Sequence, residues 1–357
     1  MSTDIDPTDS TASGPLGRLR TRQTTRETVE LVGIGIVGLL ATLMLAFVGL
    51  YWLRDLPLLS TAYEQFRIAG RLLDLYLGTN IFKHPFMWQS LSTGVLIGIV
   101  APLVGAFLVH REMALIGETL AHAAFAGVAI SLLFNSFTGW DGSLLVGALI
   151  VGVIGALIVQ WLADRTQTYG DVPIAIMLSG SFALGTLLIS YGPGQTSFSI
   201  ESLLYGSIAV VTPDGTRLMA LLSVCVIGAV VFNYKQLLFI TFDEQAARVA
   251  QLPVDRYNTL LVVMTAVVVV GAMQVLGVIL VAAMLVVPVA AASQVAVSFR
   301  ETMYLSVLFG ETAVLAGFVF SIYMSLPAGG SIVMAAIGIY LIAITVSKNG
   351  VTAMSTR

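Results

Sequence analysis

The chain of 357 residues holds one cysteine, three histidines and very little charge, with Asp, Glu, Lys and Arg making up only 10%. Each scarcity excludes something. A lone cysteine, Cys225, cannot close an internal disulfide, and without a CxxC pair there is no thiolate metal cage. Within LLSVCVIGAV it reads as a small core residue. None of the three lysines, Lys83, Lys235 and Lys348, follows a glycine-rich loop, so the GxxxxGK signature of a phosphate-binding loop is missing. Any ATP hydrolysis must then come from another polypeptide, and the chain is not expected to be an enzyme by itself or to bind a cofactor. A net charge of −3 argues against a nucleic-acid partner. Soluble domains carry about 25% charged residues. With hydrophobic residues at 57% and a mean hydropathy of +0.94, this chain must use lipid as part of its solvent.

Long apolar runs are what the sequence has in abundance. A membrane-crossing helix needs about 20 apolar residues. Runs of that kind cover 31–53, 90–109, 113–134, 143–163, 172–192, 218–234, 302–325 and 331–347. The stretch from Tyr257 to Phe299 has no charge and would reach about 65 Å as one helix, so it reads as two spans turning near Gln274. The expectation is an all-α polytopic bundle of nine or ten spans. The run at 31–53 is too long for a signal-peptide core of about 7–15 residues and reads as a retained helix. Residues 1–29 read as a disordered tail, 30–84 as an extra helix with its outer loop, 85–347 as the main bundle, and 348–357 as a second tail.

Orientation follows from the basic residues. With both termini inside, twelve Lys and Arg fall in inner segments and five (Arg54, Arg67, Arg71, Lys83 and Arg217) in outer ones. The expected location is a cell membrane with both termini cytoplasmic. Segment 196–216 mixes SLLYGSIAVV with Glu201 and Asp214 and reads as an outer, re-entrant stretch. The stretch YEQFRIAGRLLDLYLG in the first outer loop reads as an amphipathic surface helix. Glycine pairs such as Gly94 and Gly98 speak of close helix packing.

Two acids, Glu118 and Glu311, and one histidine, His122, lie inside the predicted spans. A charged group there costs about 2.5–3.5 kcal/mol on insertion scales, so each is a candidate functional residue. Glu118 and His122 are four apart and share a helix face. A carboxylate and an imidazole suit first-row divalent ions, zinc and manganese included. The pair would equally satisfy itself as an internal hydrogen bond. Two ligands are few for tight binding, and a two-fold dimer would supply four. Glu311 is open to three roles: pathway oxygen ligand, proton relay, or polar partner between helices.

The segment REMALIGETLAHAAFAGVAIS resembles a conserved block of the ABC-3 family of metal permeases, which reads approximately RRMALxGDxLSHAxLPGVA. Met113, Ala114, Leu115, Gly117, Leu120, His122, Ala123, Gly127 and Val128 match. Glu118 stands where the family has Asp, and Ala126 where it has Pro. PLVGAFLVHREMALIG, ESLLYGSIAVVTPDG, VLGVILVAAMLVVPVAAA and LPAGGSIV are similar to further blocks of the family, so the likeness spans most of 85–347. Some members carry a second histidine in the span matching 172–192; here Ser179 and Ser181 are found. The resemblance implies a homodimeric permease that passes a divalent metal (zinc, manganese or iron) along Glu118 and His122. It implies an ATP-binding ABC ATPase subunit and an extracytoplasmic metal-binding protein as partners.

The inner stretch TFDEQAARVAQLPVDRYN is the largest polar segment between spans. Thr241 and Glu244 have capping-box spacing, which predicts a short helix from Phe242 to Leu252 stopped by Pro253. By the same resemblance this is the segment that docks on the ATPase, carried by Phe242, Asp243, Glu244, Ala246, Ala247, Arg248, Leu252 and Pro253. Two other readings compete: an ion-coupled secondary transporter with Glu118 or Glu311 as proton carrier, and a non-transporting membrane anchor.

Overall fold

At lipid depth every backbone N–H and C=O must find its partner inside the chain, which favours helices. The computed structural model describes residues 15–54, 56–78, 81–139, 143–165, 172–191, 204–206, 211–278 and 280–355. The helices are α1 (Pro15–Trp52), α2 (Pro57–Leu77), α3 (Pro85–His110), α4 (Ala114–Thr138), α5 (Leu144–Arg165), α6 (Val172–Tyr191), α7 (Pro213–Phe242), α8 (Glu244–Val249), α9 (Val254–Leu276), α10 (Val281–Ser293), α11 (Phe299–Met324) and α12 (Ala328–Ser355). Nine of them, among the described residues, are long and apolar enough to cross a membrane. The chain is a multi-pass all-α bundle.

Three boundaries differ from the sequence expectation. Helix α1 begins at Pro15, so 15–29 are helical where a disordered tail was expected. Proline is tolerated in a helix's first turn, and the Leu, Arg and Gln residues that follow favour helix. Residues 1–14 of that expected tail lie outside the described residues. Helix α12 likewise runs on to Ser355, through most of the expected second tail. The third difference concerns the uncharged stretch 257–299. Its first helix, α9, has 23 residues, but α10 has only 13. Thirteen residues rise about 20 Å, short of the roughly 30 Å hydrocarbon core. The turn comes at Gly277, whose φ of 78° leaves the helical region.

Helix α3 is apolar all round and buried over nearly its whole length, from Met87 to Leu108. Its Ser90, Ser92, Thr93, Gly94, Gly98 and Gly105 let α1, α7, α9, α10 and α11 pack closely around it. Helix α6 is equally apolar but mostly exposed on the described chain, as a lipid-facing helix would be. Helices α4, α5 and α6 pack together on the other side, with α9 touching α4 and α5.

Residues 204–206, part of the expected re-entrant stretch, wedge into the α9–α10 break. A Cβ on Gly206 would lie 2.6 Å from the Leu276 carbonyl carbon, and one on Gly329 would lie 2.7 Å from the Tyr205 oxygen. The rest of 196–210 falls outside the described residues.

The amphipathic stretch of the first outer loop forms α2, which packs on α1 through an aromatic cluster. Phe66 meets Phe47 at 5.0 Å and Trp88 at 4.7 Å between ring centres. Asp74, 6% exposed, accepts the backbone N–H groups of Ile81 (2.9 Å), Phe82 (2.9 Å) and Lys83 (2.7 Å). Replacing Asp74 with Ala orphans three donors at once. The expected cost is on the order of 3 kcal/mol, with Asp74→Asn recovering part of it. Thermal unfolding in detergent measures this, and unchanged melting would show that the loop holds without its carboxylate.

Candidate functional site

Helix α4 begins after a three-residue corner. Glu112 takes a left-handed φ of 58°, Glu112 N–H bonds the Val109 carbonyl at 3.1 Å, and Met113 N–H bonds the Leu108 carbonyl at 2.9 Å. This is a Schellman ending for α3, built without the usual glycine. Glu118 and His122 follow one turn apart, about 6 Å and 12 Å along the axis from Ala114. Both are half-buried.

The other faces of α4 are clamped. A Cβ on Gly127 would lie 2.9 Å from the Ala148 Cα of α5, and one on Gly117 would lie 2.7 Å from the Leu285 side chain of α10. Thr119 Oγ1 donates to the Leu115 carbonyl at 3.1 Å and lies 3.3 Å from the Ile174 carbonyl of α6. The His122 ring stands edge-on to Phe182 at 5.0 Å, and Phe182 stacks on Phe125 at 6.0 Å. His122 Nδ1 is buried without a hydrogen-bond partner. On α6, Ser179 is exposed and Ser181 half-buried.

Glu311 lies elsewhere, at the contact of α11 with α3. It is 2% exposed, and its Oε1 would lie 2.8 Å from a Cβ placed on Gly98. Neither of its carboxyl oxygens has a hydrogen-bond partner. Burying an ionised carboxylate without a partner is costly, which makes Glu311 a candidate functional residue. Among the described residues no three His, Cys, Asp or Glu side chains gather closely enough to hold a metal. The chain therefore brings Glu118 and His122 together and leaves Glu311 apart.

The inner polar segment folds more tightly than expected. Its helix is 244–249 rather than 242–252, and the cap is Asp243, whose Oδ1 accepts the Ala246 N–H at 2.8 Å. Thr241 is still inside α7 and donates to the Leu237 carbonyl at 2.7 Å, which takes it out of the capping role. Gln251, with φ 61°, closes the helix through a second Schellman ending, with Leu252 N–H on the Ala247 carbonyl at 3.1 Å. Ala247 is fully buried and packs with Ile240 and Val254, with Leu252 beside them. Phe242, Asp243, Gln245, Arg248, Val249, Ala250, Gln251 and Pro253 are exposed, and Glu244, Ala246 and Leu252 are half-buried. Val249, 83% exposed, is an apolar residue the sequence reading passed over. Pro253 starts α9.

Charges knit this segment to the start of α9. Arg248 bonds Glu244 at 2.8 Å and Asp255 at 3.0 Å, and these carboxylates hold the Arg248 guanidinium above its ordinary pKa. Arg111 donates to Asn258 Oδ1 at 2.7 Å and pairs with Glu244 at 3.4 Å. Burial lowers the Arg111 pKa and Glu244 opposes the shift. The sequence carried no signal for the Arg111–Asn258 bond, which joins residues far apart in the chain.

The profile of the ABC 3 transport family matches residues 83–347. A probable metal transport system membrane protein of Treponema pallidum is 32% identical over 270 residues, 76% of this chain and 98% of the relative. The manganese transport system membrane protein MntC of Halalkalibacterium halodurans is 30% identical over 272 residues, 76% of this chain and 91% of its own length. The solved structure of PsaBC from Streptococcus pneumoniae in complex with Fab contains a similar chain, at 33% identity and a TM-score of 0.66. That likeness covers 77% of this chain and 95% of the PsaBC chain.

Proposed function

Because the chain belongs to the ABC 3 transport family of metal-transport permeases, we propose that it carries a divalent transition metal inward, with manganese or zinc first and iron within the same chemistry. The observation that carries the reading is the Glu118–His122 pair on α4, two ligand types of the right kind one turn apart and partly open. MntC's name is the support for manganese. One chain offers two close ligands, so a second copy across a two-fold axis would complete a four-ligand site.

The work of ATP falls to a separate ABC ATPase subunit, which docks on the 242–253 segment, with Phe242, Asp243, Arg248 and Pro253 exposed and Glu244, Ala246 and Leu252 half-buried behind them. Ala247 backs that segment from inside. Cargo arrives from an extracytoplasmic metal-binding protein. Both termini face the cytoplasm, where most basic residues lie. Glu311 is an additional oxygen donor along the path, its lone pairs free to meet the cation.

The test is uptake of manganese, zinc and iron into proteoliposomes holding this protein and its candidate ATPase, with and without ATP. ATP-dependent uptake of at least one metal is expected. Uptake driven by an ion gradient alone would make the protein a secondary transporter instead. No uptake of any of the three would remove the metal from the reading.

A further inference from the structure

Arg111 joins three elements at the end of the bundle where α3 meets α4. Its side chain is only 9% exposed. The guanidinium donates to Asn258 at the start of the second turn of α9 at 2.7 Å and pairs with Glu244 at the start of α8 at 3.4 Å. Glu244 is held in turn by Arg248, which also reaches Asp255. An arginine cannot shed its proton in a protein, so a half-desolvated guanidinium needs these acceptors.

The residues beyond Arg111 are stiff. The Schellman ending at Glu112 and Met113 leaves no slack loop between α3 and α4. Glu118 stands seven residues on, and His122 one turn further. A shift applied at the Arg111 side chain is therefore passed to α4 as a rigid body rather than absorbed on the way. An aromatic cluster backs the same corner: the His110 ring meets Phe242 at 6.2 Å and Phe299 at 4.9 Å, and Phe242 meets Phe299 at 5.5 Å. Helix α8 otherwise packs on α7 and α9, and Arg111 gives it a side-chain link to the corner that leads into α4.

We propose that Arg111 is the positioning residue through which movement of α8, driven by the partner ATPase, reaches α4 and reorients Glu118 and His122. The proposal rests on the permease reading above. Its physical content is a coupling free energy between two sites on separate elements, and such couplings typically amount to about 5- to 150-fold. Contiguity alone does not demonstrate coupling, so the test perturbs the link and measures both ends.

The experiment uses the complete transporter in proteoliposomes and reads manganese uptake per ATP hydrolysed. Arg111→Gln is expected to lower that ratio by at least about fivefold, while ATP hydrolysis stays within about twofold of wild type. Manganese binding to the purified protein in detergent should be unchanged, because Glu118 and His122 are intact. Arg111→Lys keeps the charge and loses the fork, so it should retain an intermediate ratio. Exchanging the pair, Arg111→Glu with Glu244→Arg, should recover part of the loss, which a merely misfolded corner would not do. A wild-type ratio in Arg111→Gln overturns the proposal. So does a proportional fall of hydrolysis and uptake that the exchange fails to repair. Wild-type protein that moves manganese without ATP overturns the permease reading itself, a separate and distinguishable failure.

Discussion

His122→Ala is expected to lower metal uptake by at least about tenfold while the partner ATPase continues to turn over. Even residues that only support metal ligands cost about 10- to 100-fold in affinity or activity when removed, and a direct ligand should cost no less. In the proposed two-fold assembly the substitution would remove two of the four proposed ligands. Three companion variants separate ligation from packing. His122→Phe keeps a ring against Phe182, which now stands edge-on at 5.0 Å, but supplies no nitrogen. It should be as inactive as His122→Ala. Glu118→Gln keeps the shape and removes the charge, and should also lose most uptake. Glu118→Asp restores the acid that the resembled family block carries at this position, and should retain uptake. The measurement is initial-rate uptake of the transported metal into proteoliposomes, with melting temperature followed in parallel. If His122→Phe and Glu118→Gln both transport at wild-type rates, the pair is a packing feature and the metal passes elsewhere.

The candidate pair, Glu118 and His122, was legible in the sequence because a charge or an imidazole inside an apolar run stands out, and four-residue spacing fixes a shared face. Glu311 stood out for the same reason, but its neighbours did not. Gly98 and Pro102 sit on another helix, and only folding brings them against α11. The spans were legible from length and hydropathy. The shortness of α10 was not, because the break at Gly277 makes no mark in an unbroken apolar run. The end of α3 was legible to within a residue, at 109 against His110, but α8 was expected to run to Leu252 and ends at Val249. Both close through left-handed residues, Glu112 and Gln251, where the usual glycine signal is missing. The α8 cap was read two residues early because α7 continues through Phe242, so Thr241 still has a helical carbonyl to bond. Arg111 carries an ordinary juxtamembrane charge in the sequence, and its partners become visible only when α8 and α9 come together.

Gly206→Ala and Gly277→Ala should be among the most destabilising single-methyl additions at the described glycines. Both glycines hold left-handed φ values, 73° and 78°, where a Cβ costs about 1–2 kcal/mol. Each also backs directly onto the other's strand of backbone. A Cβ on Gly206 would sit 2.6 Å from the Leu276 carbonyl carbon and 2.7 Å from the Gly277 nitrogen, and would overlap the Val275 oxygen. A Cβ on Gly277 would sit 2.6 Å from the Tyr205 carbonyl carbon and overlap the Gly206 nitrogen and the Leu204 oxygen. These are backbone atoms and cannot swing aside as a side chain would. Overpacking of this kind adds about 1–3 kcal/mol, so each substitution should cost about 2–5 kcal/mol. Gly228→Ala and Gly338→Ala are the controls, since nothing lies within 4 Å of either added Cβ and alanine favours helix. Thermal unfolding of the purified protein in detergent compares the four. A large drop for Gly206→Ala and Gly277→Ala, with none for the controls, would establish that the 204–206 segment is docked in the α9–α10 break. Equal melting temperatures would mean that the segment stands clear of it, and α10 would then have to be long enough in the membrane without that support.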